Sequence, residues 1–123
     1  MQHTIDWFEI CVSDLERAKR FYELTLGITL KPSDYARVPC AVFTREGGRD
    51  GVGGSLVQDP KRAPGAGGSL VYLSATGKLD ACLGRVKDAG GSVMMPKTDI
   101  GEPGFIAILK DTEGNLVGLH SER

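Results

Sequence analysis

The chain has 123 residues, 41% hydrophobic and 25% charged, with 15 Lys and Arg against 16 Asp and Glu for a formal net charge of -1. This suits one globular domain and shows no basic excess of the kind a nucleic-acid binder carries, no apolar run of the roughly 20 residues a membrane-spanning helix needs, and no signal-peptide pattern in Met1–Asp6. Cys11, Cys40 and Cys82 are far apart and form no Cys-x-x-Cys, so neither a disulfide framework nor a zinc or redox pair is implied, and a cytoplasmic protein is expected.

Alternation over Thr4–Val12 predicts a strand with Trp7, Glu9 and Cys11 on one face and Phe8, Ile10 and Val12 on the other. A helix follows. Ser13 is the predicted N-cap, Glu16 completes a capping box, and Leu15, Ala18, Phe21, Tyr22 and Leu26 fall on one side. Gly27 supplies the stop. Ile28–Lys31 is a short strand leading to a turn at Pro32, and Cys40–Arg45 with Val52–Gln58 reads as a hairpin around Glu46–Gly51. Asp59–Gly67 is a linker with two prolines. Then the order repeats: strand Ser69–Ala75, helix Lys78–Ala89 closed by Gly90-Gly91, and strands Ser92–Met95, Gly104–Lys110 and Asn115–His120. The last two join through Asp111-Thr112-Glu113-Gly114.

Seventeen glycines are about twice the usual share of roughly 7%. Glu46–Gly54 and Pro64–Gly68 hold many of them, but neither spells a phosphate-binding motif, and turn chemistry explains both. The halves superpose by arithmetic. An offset of 64 takes Leu15 to Leu79 and Gly27 to Gly91, and an offset of 63 takes Ser55 to Gly118 and Trp7 to Leu70. Two units of about 55 residues are each marginal alone, so they are expected to share a core. The face away from each helix then carries Trp7, Glu9 and Cys11 in one unit, and Leu70, Tyr72, Ser74, Gly118 and His120 in the other. That mix of aromatic, ionisable and small residues suits a cavity wall.

The run Trp7-Phe8-Glu9-Ile10, then Asp14-Leu15-Glu16-Arg17-Ala18, Phe21-Tyr22 and Leu26-Gly27, resembles the vicinal-oxygen-chelate superfamily. So do Gly90-Gly91, Gly104-Phe105-Ile106 and Asp111-Thr112-Glu113-Gly114-Asn115 through Gly118-Leu119-His120. That superfamily contains glyoxalase I, bleomycin-resistance proteins and extradiol dioxygenases, and the chain looks most like its lactoylglutathione-lyase-related members. The resemblance implies an α+β fold of paired βαβββ modules, residues 1–58 and 68–123 joined by the linker 59–67. It also implies mixed sheets curled around a cavity, a small-molecule ligand, and commonly a homodimer.

Metal-dependent members of the family take one His, Glu or Gln ligand from the first strand and one from the last strand of each module. By that resemblance the four positions fall on Trp7, Ser55 (or Gly54, if the hairpin slips by one), Leu70 and Gly118. None is a usual ligand, because a divalent ion needs converging oxygen, nitrogen or thiolate donors. No cofactor is therefore expected, with the divalent metal as the family's alternative. His3 is expected at a mobile terminus. Glu9 and His120, each two residues beyond a vanished ligand position, are the candidate acid–base pair, with His120 a candidate cation for Glu9. Trp7, Cys11, Ser55, Leu70, Tyr72, Ser74 and Gly118 are the expected cavity residues. Four readings stand: a metal-free small-molecule-binding protein, a metal-independent lyase or isomerase using Glu9 and His120, a metalloenzyme with unusual ligands, and a protein–protein module.

Overall fold

The computed structural model describes residues 4–44 and 51–123, so His3, Arg45 and all of the predicted turn except Gly51 lie outside the described residues. Along the chain come β1 (Trp7–Cys11), α1 (Leu15–Leu26), β2 (Leu30–Ser33), β3 (Cys40–Phe43) and β4 (Gly53–Val57). They are followed by β5 (Tyr72–Ser74), α2 (Leu79–Arg85), β6 (Ser92–Asp99), β7 (Phe105–Lys110) and β8 (Leu116–Ser121). The strand–helix–three-strand order occurs twice, as the periodicity predicts. The strands form two four-stranded sheets, β1-β4-β3-β2 and β5-β8-β7-β6, neither closed into a barrel. In each sheet the first and last strands of the module run parallel and the other neighbours antiparallel.

The repeat arithmetic holds in the register. Glu9 pairs with Ser55 in the first sheet and Tyr72 with Gly118 in the second, both related by the offset of 63. Leu15 and Leu79, 64 apart, each open a helix. The offset shifts at the helix ends. Gly27 takes the left-handed conformation at φ 67, and its counterpart with positive φ is Gly90, not Gly91.

One apolar core joins the modules. Ile10 and Val12 of the first module lie with Ala18, Phe21 and Tyr22 of α1, against Leu79, Cys82 and Val86 of the second and the inner residues Ala107, Leu109, Val117 and Leu119 of its sheet. Both sheets therefore turn their helix-bearing faces toward one another's helices. The faces carrying Trp7 and Tyr72 point away from that core.

Polar groups of the second module cap both ends of α1. The predicted N-cap is corrected here: Asp14, not Ser13, caps the helix, its carboxylate accepting from Arg17 N at 3.1 Å. Glu16 does not close the box, because Glu113 of the β7–β8 turn takes the upstream donors. Its Oε1 accepts from Ser13 N (2.8 Å) and Asp14 N (2.9 Å), while Arg17 donates to both carboxylate oxygens. At the other end the Lys78 ammonium donates to Leu26 O and the Arg85 guanidinium to Thr25 O. Between them, buried Tyr22 donates to buried Asp111 at 2.6 Å, whose carboxylate also accepts from Glu113 N, Asn115 N and the Asn115 amide.

Several boundaries move for identifiable reasons. β1 and β5 are shorter than the alternation predicts. Pro32 lies inside β2, not in a turn, which an edge strand tolerates because its missing N–H faces no partner. α2 covers seven residues of the predicted twelve. Gly84 weakens its interior, and the following turn tightens so that Gly91 passes beneath Phe21, where a Cβ would collide with the ring. β6 runs to Asp99, kinked by two register shifts around Pro96.

Burial by itself would raise the Glu113 carboxyl, but hydrogen bonds from Arg17, Asp14 N, Thr112 and Ser13 N overcome it and hold the group at about 2, below the ordinary 4.5. A depressed carboxyl contributes stability that is present above the unfolded value and lost as pH falls through the folded one. Glu113→Gln is expected to cost roughly 1–3 kcal/mol at neutral pH, because the Ser13 and Asp14 amides and the Arg17 guanidinium lose a charged acceptor. In thermal melts the gap between wild type and variant should close as the pH drops from about 4.5 toward 2. A gap constant across that range would show that the carboxylate does not hold the seam.

Candidate functional site

The outward face of the first sheet carries a hydrogen-bonded cluster. Trp7, Glu9 and Cys11 alternate along β1, and Ser55 lies directly beside Glu9 on β4. Over them sits Tyr35, from the turn between β2 and β3. Its hydroxyl accepts from Trp7 Nε1 (3.0 Å), donates to Glu9 Oε2 (2.6 Å), and lies 2.7 Å from the buried Ser55 hydroxyl. A phenol has one proton and two lone pairs, so the Ser55 hydroxyl must be the donor and Tyr35 is saturated. The Trp7 and Tyr35 rings meet edge to face at 5.6 Å. Arg62, from the linker, donates to Glu9 Oε1 at 2.7 Å and to Asp59 at 3.2 Å.

This changes the expected electrostatics of Glu9. The hydrogen bonds from Tyr35 and then Arg62 outweigh burial and hold its carboxyl below the ordinary range. The cation that answers it is Arg62, not His120. Tyr35 is pushed up, by burial first and by its bond to Glu9. Cys11 is half-buried on this face, whereas Cys40 and Cys82 are buried.

The second sheet presents a separate face. Tyr72 pairs with Gly118, and Ser74 with His120. With Ile100 and Ile106, residues Tyr72, Ser74 and His120 line a depression of about 460 Å³. His120 Nε2 lies 2.6 Å from Pro103 O. Leu70 precedes β5 and is exposed. Glu9 and His120 thus belong to different sheets with different partners. Leu70 apart, the sequence-predicted cavity and acid–base residues divide into two groups: Trp7, Glu9, Cys11 and Ser55 on one face, and Tyr72, Ser74, Gly118 and His120 on the other. Tyr35 and Arg62 complete the first group and carry no sequence signal, since both lie in segments without periodicity.

The residues at the family's metal positions do not fit an ion. The Trp7 indole is a donor without a lone pair, and that donor is engaged by Tyr35. Ser55 offers one hydroxyl, already bonded. Leu70 offers nothing. At Gly118 the Tyr72 ring lies where a Cβ would project, and at the alternative Gly54 the Phe8 ring does the same. Among the described residues no three His, Cys, Asp or Glu side chains are grouped to hold a metal.

Residues 4–119 match the Glyoxalase/Bleomycin resistance protein/Dioxygenase superfamily, and the chain belongs to it. A Mycobacterium tuberculosis (strain CDC 1551 / Oshkosh) protein named "Putative glyoxylase CFP32" is 30% identical over 120 residues, 96% of this chain and 45% of its own. The chain thus spans about half the length of the curated relatives it matches. The crystal structure of TnmS3, an antibiotic binding protein from Streptomyces sp. CB03234, superposes with a TM-score of 0.71 at 28% identity, covering 100% of this chain and 98% of that one. A glyoxalase/bleomycin resistance protein from Albidiferax ferrireducens T118 shares the fold, with a TM-score of 0.74 at 19% identity over 98% of this chain and 100% of its own. No helix among the described residues is long and apolar enough to cross a membrane.

Trp7 is the only tryptophan, so its fluorescence reports on the cluster. Tyr35→Phe removes the hydroxyl that holds the indole and leaves the Ser55 hydroxyl without its acceptor. It should shift Trp7 emission to the red, raise its quenching by acrylamide, and cost about 1 kcal/mol. Emission identical to wild type would show that the indole is not tied to Tyr35 in solution.

Proposed function

We propose that this chain is one domain of two βαβββ modules that binds a small organic molecule on its outward sheet faces, as a homodimer and without the family's metal. The observation that carries this reading is the cost of the faces themselves. Trp7 is 39% exposed and Tyr72 43% exposed, with Leu70 and Ile100 beside them in exposure, although the shared core had apolar positions to offer. Large rings left in water are unfavourable by about 25 cal/mol per Å² of apolar surface unless something covers them. In the first module a hydrogen bond and an edge-to-face contact with Tyr35 hold the ring of Trp7 in place, which lowers the entropic cost of binding to it.

The homodimer follows from the direction of the faces. Within one chain they turn away from the common core, so neither closes the other. A second copy can set its second sheet over the first sheet of its partner and enclose a cavity twice by the same contact. The relatives named above include an antibiotic binding protein, which supports a ligand of that size class. The acid–base reading is less well supported, since Glu9 is already paired with Arg62 and bonded by Tyr35.

Native mass spectrometry of freshly purified protein tests the three parts together. The expected result is a species of twice the 13.2 kDa chain mass that carries organic adducts, with elemental analysis finding well under one metal equivalent per chain. A monomer alone at micromolar concentration would overturn the dimer. A full equivalent of zinc, nickel or iron would overturn the metal-free site.

A further inference from the structure

The two outward faces differ in what they leave unpaired. On the first sheet the Tyr35 hydroxyl has all its hydrogen bonds, the Trp7 N–H is used, and both Glu9 oxygens are engaged. On the second sheet Ser74 and His120 stand directly opposite each other on β5 and β8. The Ser74 hydroxyl has no partner among the described residues. His120 has one, the Pro103 carbonyl, which can only accept. Nε2 therefore carries the proton, and in the neutral ring Nδ1 is left as an acceptor with no partner of its own. Around this pair the depression is apolar, made by Tyr72, Ile100 and Ile106.

We propose that the second-sheet face takes the flat apolar ring of a ligand bearing a hydroxyl, with that hydroxyl donating to His120 Nδ1. This rests on the small-molecule-binding reading and adds the chemical class of the ligand. The Pro103 carbonyl acts through the imidazole: by holding the proton on Nε2 it leaves Nδ1 as the acceptor of a side chain that lines the depression. A ligand of this class satisfies that acceptor, while its ring covers Tyr72, Ile100 and Ile106. An ether of the same shape leaves Nδ1 desolvated and unpaired. The site therefore discriminates by the penalty for a lost hydrogen bond as well as by the bond itself.

The test compares 2-naphthol with 2-methoxynaphthalene by titration calorimetry on the full chain. The volume of about 460 Å³ accommodates either ring system. The expected result is a preference for the naphthol of about five-fold, the scale of one net hydrogen bond. His120→Phe should abolish that preference while keeping the ring contacts. Ile100→Ser, at an exposed position, should weaken both probes and leave their ratio unchanged. Equal affinity of the two probes for the wild type, or a preference that survives His120→Phe, overturns the hydroxyl assignment and leaves the small-molecule reading standing. Failure of both probes to bind overturns the assignment together with an apolar ligand site on this face.

Discussion

The grip of the second module on α1 is the constraint on which the rest of the structure depends. A helix leaves unpaired N–H groups at its start and unpaired carbonyls at its end. Here Glu113 answers the donors of Ser13 and Asp14, and Lys78 and Arg85 answer the carbonyls of Leu26 and Thr25. Tyr22 and Asp111 lock the middle with a buried hydrogen bond. None of these contacts is made within a module. The first βαβββ unit thus relies on the second to complete its helix ends, beside its own Asp14 and Gln58 at the start, which is a polar counterpart to the sharing of the apolar core.

Because the modules meet through their helices, the sheet faces that bear Trp7 and Tyr72 cannot meet within a chain. The same geometry governs the chemistry. The positions that the family resemblance gives to metal ligands carry an aromatic arrangement instead: an indole and a serine held by the Tyr35 hydroxyl on one sheet, and a glycine roofed by the Tyr72 ring on the other. Restoring a ligand at Gly118 alone does not restore a metal site. Its Cβ has to displace Tyr72, and Trp7 still supplies no lone pair.

The sequence made the modules legible because periodicity and turn chemistry are local. Phe8, Ile10 and Val12 alternate onto the helix side, and Gly27 ends α1, where those patterns place them. What was missed is what depends on distant residues. Ser13 has the chemistry of an N-cap, but Asp14 accepts from Arg17 N instead, and Glu113, one hundred positions away, takes the Ser13 amide that a Glu16 capping box would use. Glu9 was visible as an ionisable residue on the cavity face. Its partner Arg62 comes from a Pro- and Gly-rich linker, where no pattern assigns a direction to a side chain. The cation beside Glu9, expected from His120, comes from the linker instead, and the hydrogen bonds of Tyr35 and Arg62 hold the carboxyl below its ordinary range.

The internal repeat finally separates framework from site. Positions related by the offset of 63 carry the same structural task and different chemistry. Glu9 beside Ser55 becomes Tyr72 beside Gly118, so a saturated ionic cluster in one half corresponds to a ring laid over a bare backbone in the other. One step further along, Cys11 beside Val57 corresponds to Ser74 beside His120, where the unpaired groups of the second half collect. The duplicated framework fixes where side chains point. The divergence of the halves then gives one face rigidity and the other free hydrogen-bonding capacity. In the proposed homodimer, a cavity assembled from one of each would set a hydrogen-bonded aromatic wall opposite a wall that a ligand can still answer.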